Sequence, residues 1–235
     1  MYPEAKSIPI SQARQEASTI FLAKVFNLMT LGLALTGIVA FVTAHTGLAS
    51  MIIGTPLFLV LILVELGLVF YLSARVEKIQ AATASGLFIG YSVLNGLTLS
   101  VIFLAYTGTS IAATFFIAAG MFGAMAVYGL VTKRDLSGFG SFLFMGLVGI
   151  IIASIVNIFL QSSTMHWAIS FLGVLIFTGL TAYDVQKIKR IGEEGIMAQG
   201  DEVVRKGSVM GALTLYLDFI NLFLMLLRFF GGSRD

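Results

Sequence analysis

Cysteine is absent from the chain, which excludes disulfides and thiolate metal sites. Charge is scarce as well, because Asp, Glu, Lys and Arg make up 11% of the residues, whereas a soluble domain carries about 25%. Hydrophobic residues reach 58%. This composition excludes a soluble domain and predicts a polytopic membrane protein with a single domain. The net charge of +2 is too small to indicate a nucleic-acid partner.

The motifs of soluble enzymes are also missing. The sequence contains no glycine-rich phosphate loop, no His-Glu-x-x-His and no Gly-x-Ser-x-Gly pattern. No nucleophile and base pair is evident, so we expect that the protein is not an enzyme and uses no cofactor. Its two histidines, His45 and His166, are interpreted as solvated loop residues rather than metal ligands.

Seven apolar segments are each close to the ~20 residues that a helix needs to cross ~30 Å of hydrocarbon. The expected helices cover residues 21–44, 55–74, 81–106, 110–131, 139–160, 165–185 and 207–230. We expect residues 1–20 to form a cytosolic tail and 232–235 a short C-terminal tail, so that 21–231 form the transmembrane domain. The polar start and the long first apolar run do not suggest a cleavable signal peptide.

The lysines and arginines predict the orientation of the chain. Twelve of the fourteen lie in the N-terminal region or in the loops after helices 2, 4 and 6, and the other loops carry none. Basic residues are enriched in cytoplasmic loops, so we expect a cytosolic N-terminus and a C-terminus outside. Arg228 and Arg234 are disfavoured there. In the alternative arrangement, the last segment folds back and both termini are cytosolic.

Most of the 25 glycines fall inside the predicted helices. Gly86 and Gly90 are spaced four apart in helix 3, and Gly120 and Gly123 form a similar face in helix 4. Small residues allow helices to approach closely in a membrane. We interpret these faces as packing within one chain rather than as a dimer interface, and we expect a monomer. No repeat relates the two halves, so an inverted-repeat transporter is not supported.

The last apolar segment carries a carboxylate near its middle. Asp218 lies eleven residues after Gly207, which is about 16 Å along a helix. An ionisable group at this depth costs at least a few kcal/mol unless it is paired, neutralised or hydrated. Thr214 and Asn221 share one helix face with it. This polar stripe predicts a functional site that faces into the bundle.

A second acid, Asp184, closes helix 6, with Thr181 one turn before it and Lys187 one turn after it. Because helices 6 and 7 form an antiparallel hairpin, Asp184 and Asp218 are predicted to face each other. This requires helix 6 to continue past Lys187 or helix 7 to begin in the headgroup region. Two carboxylates in contact cannot both ionise cheaply, so they would share a proton and form a proton-sensitive switch. Otherwise Asp184 is a solvated charge at a helix end.

Two further ionisable residues lie on helix 2. Arg75, at its cytosolic end, carries the guanidinium that we expect to reach the aspartates, where a bidentate contact would act as a latch. Glu65, near its middle, is interpreted either as a protonated structural acid or as an ion ligand. The polar side chains suggested as its partners are Ser92, Asn95, Thr98 and Asn157.

Three strings of the sequence resemble the bacterial branch of the transmembrane Bax inhibitor motif family. They are GMFGAMAVYGLVTKRDLSGFG, TGLTAYDVQKIK and GALTLYLDFINLFLMLLRFFG. The second and third are specific because each sets an aspartate in an apolar context. The resemblance covers essentially the whole chain, although the ending RFFGGSRD lacks the long basic tail of animal members. Regulation through such a tail is therefore not implied.

The resemblance implies a fold of seven helices in which six wrap a central C-terminal helix. It also implies a pH-sensitive calcium leak of the bacterial inner (plasma) membrane, with Asp184 and Asp218 as the pH-sensing pair. Arg75 would be the latch, and Glu65 would lie on the ion path. Calcium, the expected permeant ion, would bind the two aspartates weakly and transiently, because a tightly bound ion is not released.

Two other functions stay open at this point. A membrane-embedded regulator would bind another protein through its N-terminal tail and its loop between helices 6 and 7, as some bacterial relatives bind a membrane-anchored quality-control protease. The aspartates would then serve helix packing. A proton-coupled antiporter would use the same acids but needs two coupled gradients. Deleting the tail would abolish a partner function and spare a leak.

Overall fold

The computed structural model describes residues 10–232, and between them it contains helices and no strand. The helices are α1 (Ile10–His45), α2 (Leu48–Ile52), α3 (Pro56–Arg75), α4 (Ala81–Leu99), α5 (Ile102–Ala105), α6 (Gly108–Val131), α7 (Ser137–Leu160), α8 (Ser163–Glu193) and α9 (Asp201–Phe230). Seven candidate spans are long and apolar enough to cross a membrane, with α4 and α5 forming one of them. This confirms an all-helical, multi-pass membrane fold.

The first helix begins inside the predicted tail, close to Gln12, near which the sequence indicates that the tail becomes helical. Within the tail predicted for residues 1–20, α1 is already helical from Ile10, and it continues without a break to His45. Ser18 is buried and its hydroxyl donates to the Lys189 carbonyl at 2.9 Å. Helix α1 therefore contacts α8 at Ser18, whereas residues 12–16 before it are exposed. Residues 1–9 lie outside the described residues.

The connection between the last two long helices is much shorter than expected. The segment 186–206 was predicted to be a charged loop, but α8 continues to Glu193 and α9 begins at Asp201. Only a short stretch with a 3₁₀ turn at Ile196–Ala198 separates them. The prediction was wrong because it followed hydropathy, which marks where a helix leaves the membrane and not where it ends.

Contacts with the loop after α3 hold the start of α9 in place. Glu202 Oε1 accepts a hydrogen bond of 2.6 Å from the backbone amide of Ala81, the first residue of α4. Lys206 Nζ donates to the Glu77 carbonyl at 3.3 Å and forms an ion pair with Glu202. The end of the bundle that carries Arg75, Lys133, Lys187 and Lys206 is called the basic end, and the end that carries His45, His166 and Arg228 the opposite end.

The C-terminal helix is central, as expected. Half of the 30 residues of α9 are buried, and its apolar window has the largest buried share of the seven candidate spans. It packs against α1, α4, α6 and α8. The helices α3 and α7 lie further out, where α3 packs mainly on α4 and α7 on α8. With 30 residues, α9 is about 45 Å long and contains no break at which the last segment could fold back. The alternative with a folded-back segment is therefore wrong.

The glycines that bring helices together are not those that the sequence suggested. A Cβ atom at Gly86, Gly90, Gly120 or Gly123 would meet no atom within 4 Å, so the packing role expected for them is wrong. The close approach lies elsewhere. At Gly129 a Cβ would collide with the Ala182 backbone, which means that α6 and α8 meet there backbone to backbone.

Candidate functional site

The helices α8 and α9 place two acids against each other in the interior. The carboxyl groups of Asp184 and Asp218 lie within hydrogen-bonding reach of each other. Asp184 is 9% exposed and Asp218 5% exposed. The continuation of α8 past Lys187 meets the condition under which the sequence allows this contact. Two acids on separate helices are thus joined away from bulk solvent.

One oxygen of this pair lacks a donor. Asp218 Oδ2 is buried and has no hydrogen-bond partner between residues 10 and 232. Nearly all buried polar atoms in proteins are hydrogen-bonded, so an acceptor of this kind invites a proton, a water molecule or a cation. This oxygen can therefore take a proton shared with Asp184, a water molecule or a cation.

The three polar residues expected to support the pair bond to their own helices. Thr181 donates to the Phe177 carbonyl at 2.8 Å, Thr214 to Met210 at 3.0 Å, and Asn221 to Leu217 at 2.8 Å. Thr181 is fully buried, and Thr214 and Asn221 are half-buried. The polar stripe on α9 thus faces inward, but none of these hydrogen bonds reaches an aspartate.

A cavity leads from the basic end to the first aspartate. It has a volume of about 540 Å³, and Asp184 and Thr214 are part of its wall. Its polar lining also includes Glu77, Lys187 and Lys206, whereas Asp218 does not line it. The two acids therefore differ in access, because Asp184 meets the cavity and Asp218 lies behind it.

The expected latch is not in contact with the aspartates. Arg75 is the last residue of α3, and its side chain is exposed. Its guanidinium forms no ion pair or hydrogen bond with any of the described residues. The next residues, Val76 and Glu77, do line the cavity, so Arg75 lies beside its wall. The latch stays a prediction that requires movement of this side chain.

Glu65 faces α4 rather than lipid. Its Oε1 accepts a hydrogen bond of 2.8 Å from the Thr98 hydroxyl, and its Oε2 accepts one of 3.4 Å from the Asn95 amide. The other two suggested partners bond elsewhere, Ser92 to the Phe88 carbonyl and Asn157 to the Ser162 amide. Glu65 is thus held by two neutral polar side chains of one neighbouring helix.

A polar chain that the sequence did not suggest continues from these partners to α9. Asn95 also donates to the Tyr91 hydroxyl at 3.3 Å, and the Tyr91 ring meets the Tyr216 ring edge-on at 5.7 Å. The Tyr216 hydroxyl shares a 2.7 Å hydrogen bond with Thr36 of α1. Tyrosine in an apolar helix ordinarily indicates packing, and the available signal was only the helical spacing of Tyr91 and Asn95. Tyr216 lies two residues before Asp218.

The described residues contain few metal ligands in any one place. Between residues 10 and 232, no group of three or more His, Cys, Asp and Glu side chains could hold a metal ion. The aspartate pair therefore supplies only two carboxylates. His45 and His166 lie on α1 and α8 at the opposite end, and His45 Nδ1 contacts the Phe41 carbonyl at 2.8 Å.

Comparison with known proteins agrees with this architecture. The family model described as "Inhibitor of apoptosis-promoting Bax1" matches residues 19–235, which include both aspartates and all of the long helices except the first nine residues of α1. The chain belongs to the Bax inhibitor-1 family. Inner membrane protein YbhL of Escherichia coli K12 is 52% identical to this Bax inhibitor-1 family protein over 231 residues, 97% of this chain and 98% of YbhL.

Relatives with lower identity have a similar length. An uncharacterized protein of Borreliella burgdorferi is 48% identical over 97% of this chain and 99% of its own. An uncharacterized membrane protein of Streptococcus pyogenes serotype M1 is 40% identical over 91% of this chain and 93% of its own. The similarity therefore extends over the whole bundle and not over a single motif.

An exposed ion pair fastens the α6–α7 loop of this Bax inhibitor-1 family protein to α8. Hydrogen bonds from the Ser137 hydroxyl and amide, followed by one from Arg190, lower the pKa of Asp135 from 3.8 to about 2. Arg190 approaches the Asp135 carboxylate at 3.0 Å. Since the folded-state pKa is depressed, the charged form contributes stability above the unfolded pKa. This contribution is lost as the pH falls from 3.8 to about 2.

Asp135→Asn is expected to lower the melting temperature slightly at pH 6, because the pair is exposed and such pairs contribute little. The difference from the wild type should shrink as the pH falls through the range from 3.8 to about 2. Thermal unfolding of both proteins in the same detergent, at a series of pH values, measures this. A difference that grows toward low pH would contradict the assignment.

Proposed function

We propose that this protein is a proton-regulated, calcium-permeable leak in a bacterial inner membrane, with Asp184 and Asp218 as the proton sensor. The observation that carries the proposal is the contact between these two carboxyl groups at the inner end of a cavity. The membrane assignment follows from the seven apolar helices and from the similarity to YbhL, which is named an inner membrane protein.

The pair offers a simple chemical switch. Two carboxyl groups in contact inside a low-dielectric bundle hold one proton between them, and the pair gains and loses protons in separate steps. Loss of the shared proton leaves two negative charges that repel each other. That repulsion favours separation of α8 and α9 or the arrival of a cation. We assign Arg75, which lies beside the cavity, as the cation of the protein that approaches the two carboxylates when the shared proton is lost.

The two aspartates are suited to bind calcium transiently as the ion passes. It prefers six to eight oxygen ligands, and two carboxylates with the neighbouring threonine oxygens supply fewer. Water must complete the coordination shell, so binding is weak, as conduction requires. We place the path from the cavity past Asp184 and Asp218 toward Glu65, since the polar chain between Tyr216 and Glu65 continues in that direction.

The proposed orientation sets the cavity toward the cytosol. Five basic residues of 186–206 and those at the ends of α3 and α6 lie at the basic end, and cytoplasmic segments carry such an excess. On this orientation Asp184 senses cytosolic protons. Glu65 lies at about the same depth as Asp218, since each is twelve residues from the contact between Glu77 and Lys206.

Calcium flux into proteoliposomes, measured across a pH series, tests the proposal. We expect the wild-type flux to exceed that of protein-free liposomes and to vary between pH 5 and pH 8. A variant lacking residues 1–9 should conduct equally well, because these residues precede the first described helix. Flux equal to that of protein-free liposomes at every pH would contradict a leak and favour a function in binding another protein.

A further inference from the structure

A second cavity lies at the opposite end of the bundle, where α7, α8 and α9 meet. Its volume is about 560 Å³, within the range of about 300–1,000 Å³ that is typical of ligand pockets. Its polar lining comprises Asn157, Gln161, Ser162, Ser163, His166, Ser170 and Arg228. Trp167 and Phe229 add aromatic rings, whose centroids lie 5.4 Å apart at an angle of 50°. An aromatic rim beside polar groups is typical of the membrane–water boundary.

Arg228 gives this cavity a positive charge that no acidic side chain among the described residues balances. No residue in its lining is acidic. None of the ion pairs formed between residues 10 and 232 involves Arg228. The planar guanidinium matches the geometry of phosphate better than any other side chain. The cavity therefore has the chemistry of a phosphate site.

An apolar groove lies next to this cavity, within one helical turn of it on α7 and α8. It has a volume of about 640 Å³, runs between α7 and α8, and is lined only by apolar residues. On α7, Ala153 in the groove lies one helical turn before Asn157 in the polar cavity, and on α8 Met165 directly precedes His166. A polar, cationic cavity thus lies beside an apolar groove. That sequence of environments matches a headgroup followed by an acyl chain.

We propose that this composite site binds a glycerophospholipid, with its phosphate on Arg228 and one acyl chain in the groove between α7 and α8. Cationic pockets between membrane helices are known to hold lipid headgroups. The lining also predicts which headgroup is preferred. Amide and hydroxyl groups can bond the hydroxyls of glycerol, and no acid is present to bind the ammonium of choline. Phosphatidylglycerol should therefore bind better than phosphatidylcholine.

The single tryptophan of the chain allows a direct measurement, because Trp167 lies in the wall of the site. The full chain is reconstituted in phosphatidylcholine bilayers that contain a small fraction of phosphatidylglycerol with brominated acyl chains, and quenching of Trp167 is recorded. The same fraction of brominated phosphatidylcholine gives the reference. We expect phosphatidylglycerol to associate about fivefold more strongly, the value of one cationic side chain near a membrane surface.

Two variants test the two halves of the site. Arg228→Gln should reduce the preference to the level of phosphatidylcholine, and Arg134→Gln, at the basic end, should not. Gly149→Leu should lower quenching by both lipids, since a Cβ there meets no atom within 4 Å and the side chain fills the groove. Gly120→Leu is the matched control on α6, because its Cβ position is equally open.

The results that overturn the lipid assignment are distinct. Equal quenching by both brominated lipids in the wild type would overturn it, as would an Arg228→Gln protein that keeps the preference. Millimolar inorganic phosphate should leave the wild-type preference unchanged. Loss of the preference on adding phosphate would indicate a site for free anions instead. None of these readouts depends on calcium flux, so the inference stands or fails separately from the proposed leak.

Discussion

Asp218→Asn is expected to remove the pH dependence of calcium flux. Asparagine has nearly the same shape as aspartate, and its amide can donate to Asp184, but it neither gains nor loses a proton. Asp184 can still lose its proton in this variant, but without a second carboxylate its charge no longer repels α9. A gate biased by one proton changes its open-to-closed ratio by up to about tenfold per pH unit. We expect the variant's flux to vary far less than this across pH 5–8, measured in proteoliposomes beside the wild type.

Comparing Asp184→Asn with Asp218→Asn distinguishes an effect on the pH response from an effect on calcium entry. Both substitutions should flatten the pH profile, because each removes one acid of the pair. The two acids differ in access, since Asp184 lines the cavity and Asp218 lies behind it. Only the Asp184 variant also removes a negative charge from the cavity wall. It should therefore weaken calcium entry more than Asp218→Asn does, seen as a higher calcium concentration for half-maximal flux. Equal concentrations for the two variants would contradict this order of the acids along the path.

A matched acid controls for a general effect of lost charge. Asp135 belongs to the exposed loop between α6 and α7, and its pKa of about 2 leaves it ionised throughout pH 5–8. Asp135→Asn should therefore keep the wild-type pH profile. A profile that is flat in all three variants would show that folding or insertion had changed. A profile that survives in Asp218→Asn would remove the aspartate pair from the gating mechanism.

The sequence predicted most of this bundle because membrane-spanning helices leave a strong signal. The apolar segments marked all seven spans and the central position of the last one followed from the family resemblance. The inward orientation of Asp218 could be predicted because an unpaired charge toward lipid is expensive. Glu65 likewise found partners at Asn95 and Thr98, two residues spaced along one face of α4.

The length of a helix inside the headgroup region was harder to predict, because hydropathy detects the apolar segment of a helix and not its charged continuation. Beyond Asp184, the segment VQKIKR contains two buried apolar residues, Val185 and Ile188, which are three residues apart among polar and basic ones. That helical spacing was a signal that α8 continues. The Tyr216 contacts left no such signal, since they depend on which helices are neighbours. Close approach at Gly129 was equally hidden, because the sequence does not show which glycine meets another backbone.

Gly129→Ala is expected to destabilise the bundle more than any other glycine-to-alanine change on α6. The new Cβ would lie against the Ala182 carbonyl, 3.1 Å from its carbon and 3.2 Å from Cα, and a backbone cannot move aside as a side chain can. Overpacking of this kind typically costs about 1–3 kcal/mol. For a chain of this size we expect a fall in melting temperature of about 5 °C, measured by thermal unfolding in detergent.

Gly123→Ala is the control for this prediction, because it lies on the same helix with no atom within 4 Å of the added Cβ. It should leave the melting temperature unchanged or raise it slightly, since alanine favours helix more than glycine does. Ala182 lies two residues before Asp184, so a displaced α8 should also disturb the aspartate pair. Gly129→Ala is therefore expected to weaken the pH response of the flux as well as stability. Equal melting temperatures for the two variants would contradict the backbone contact between α6 and α8.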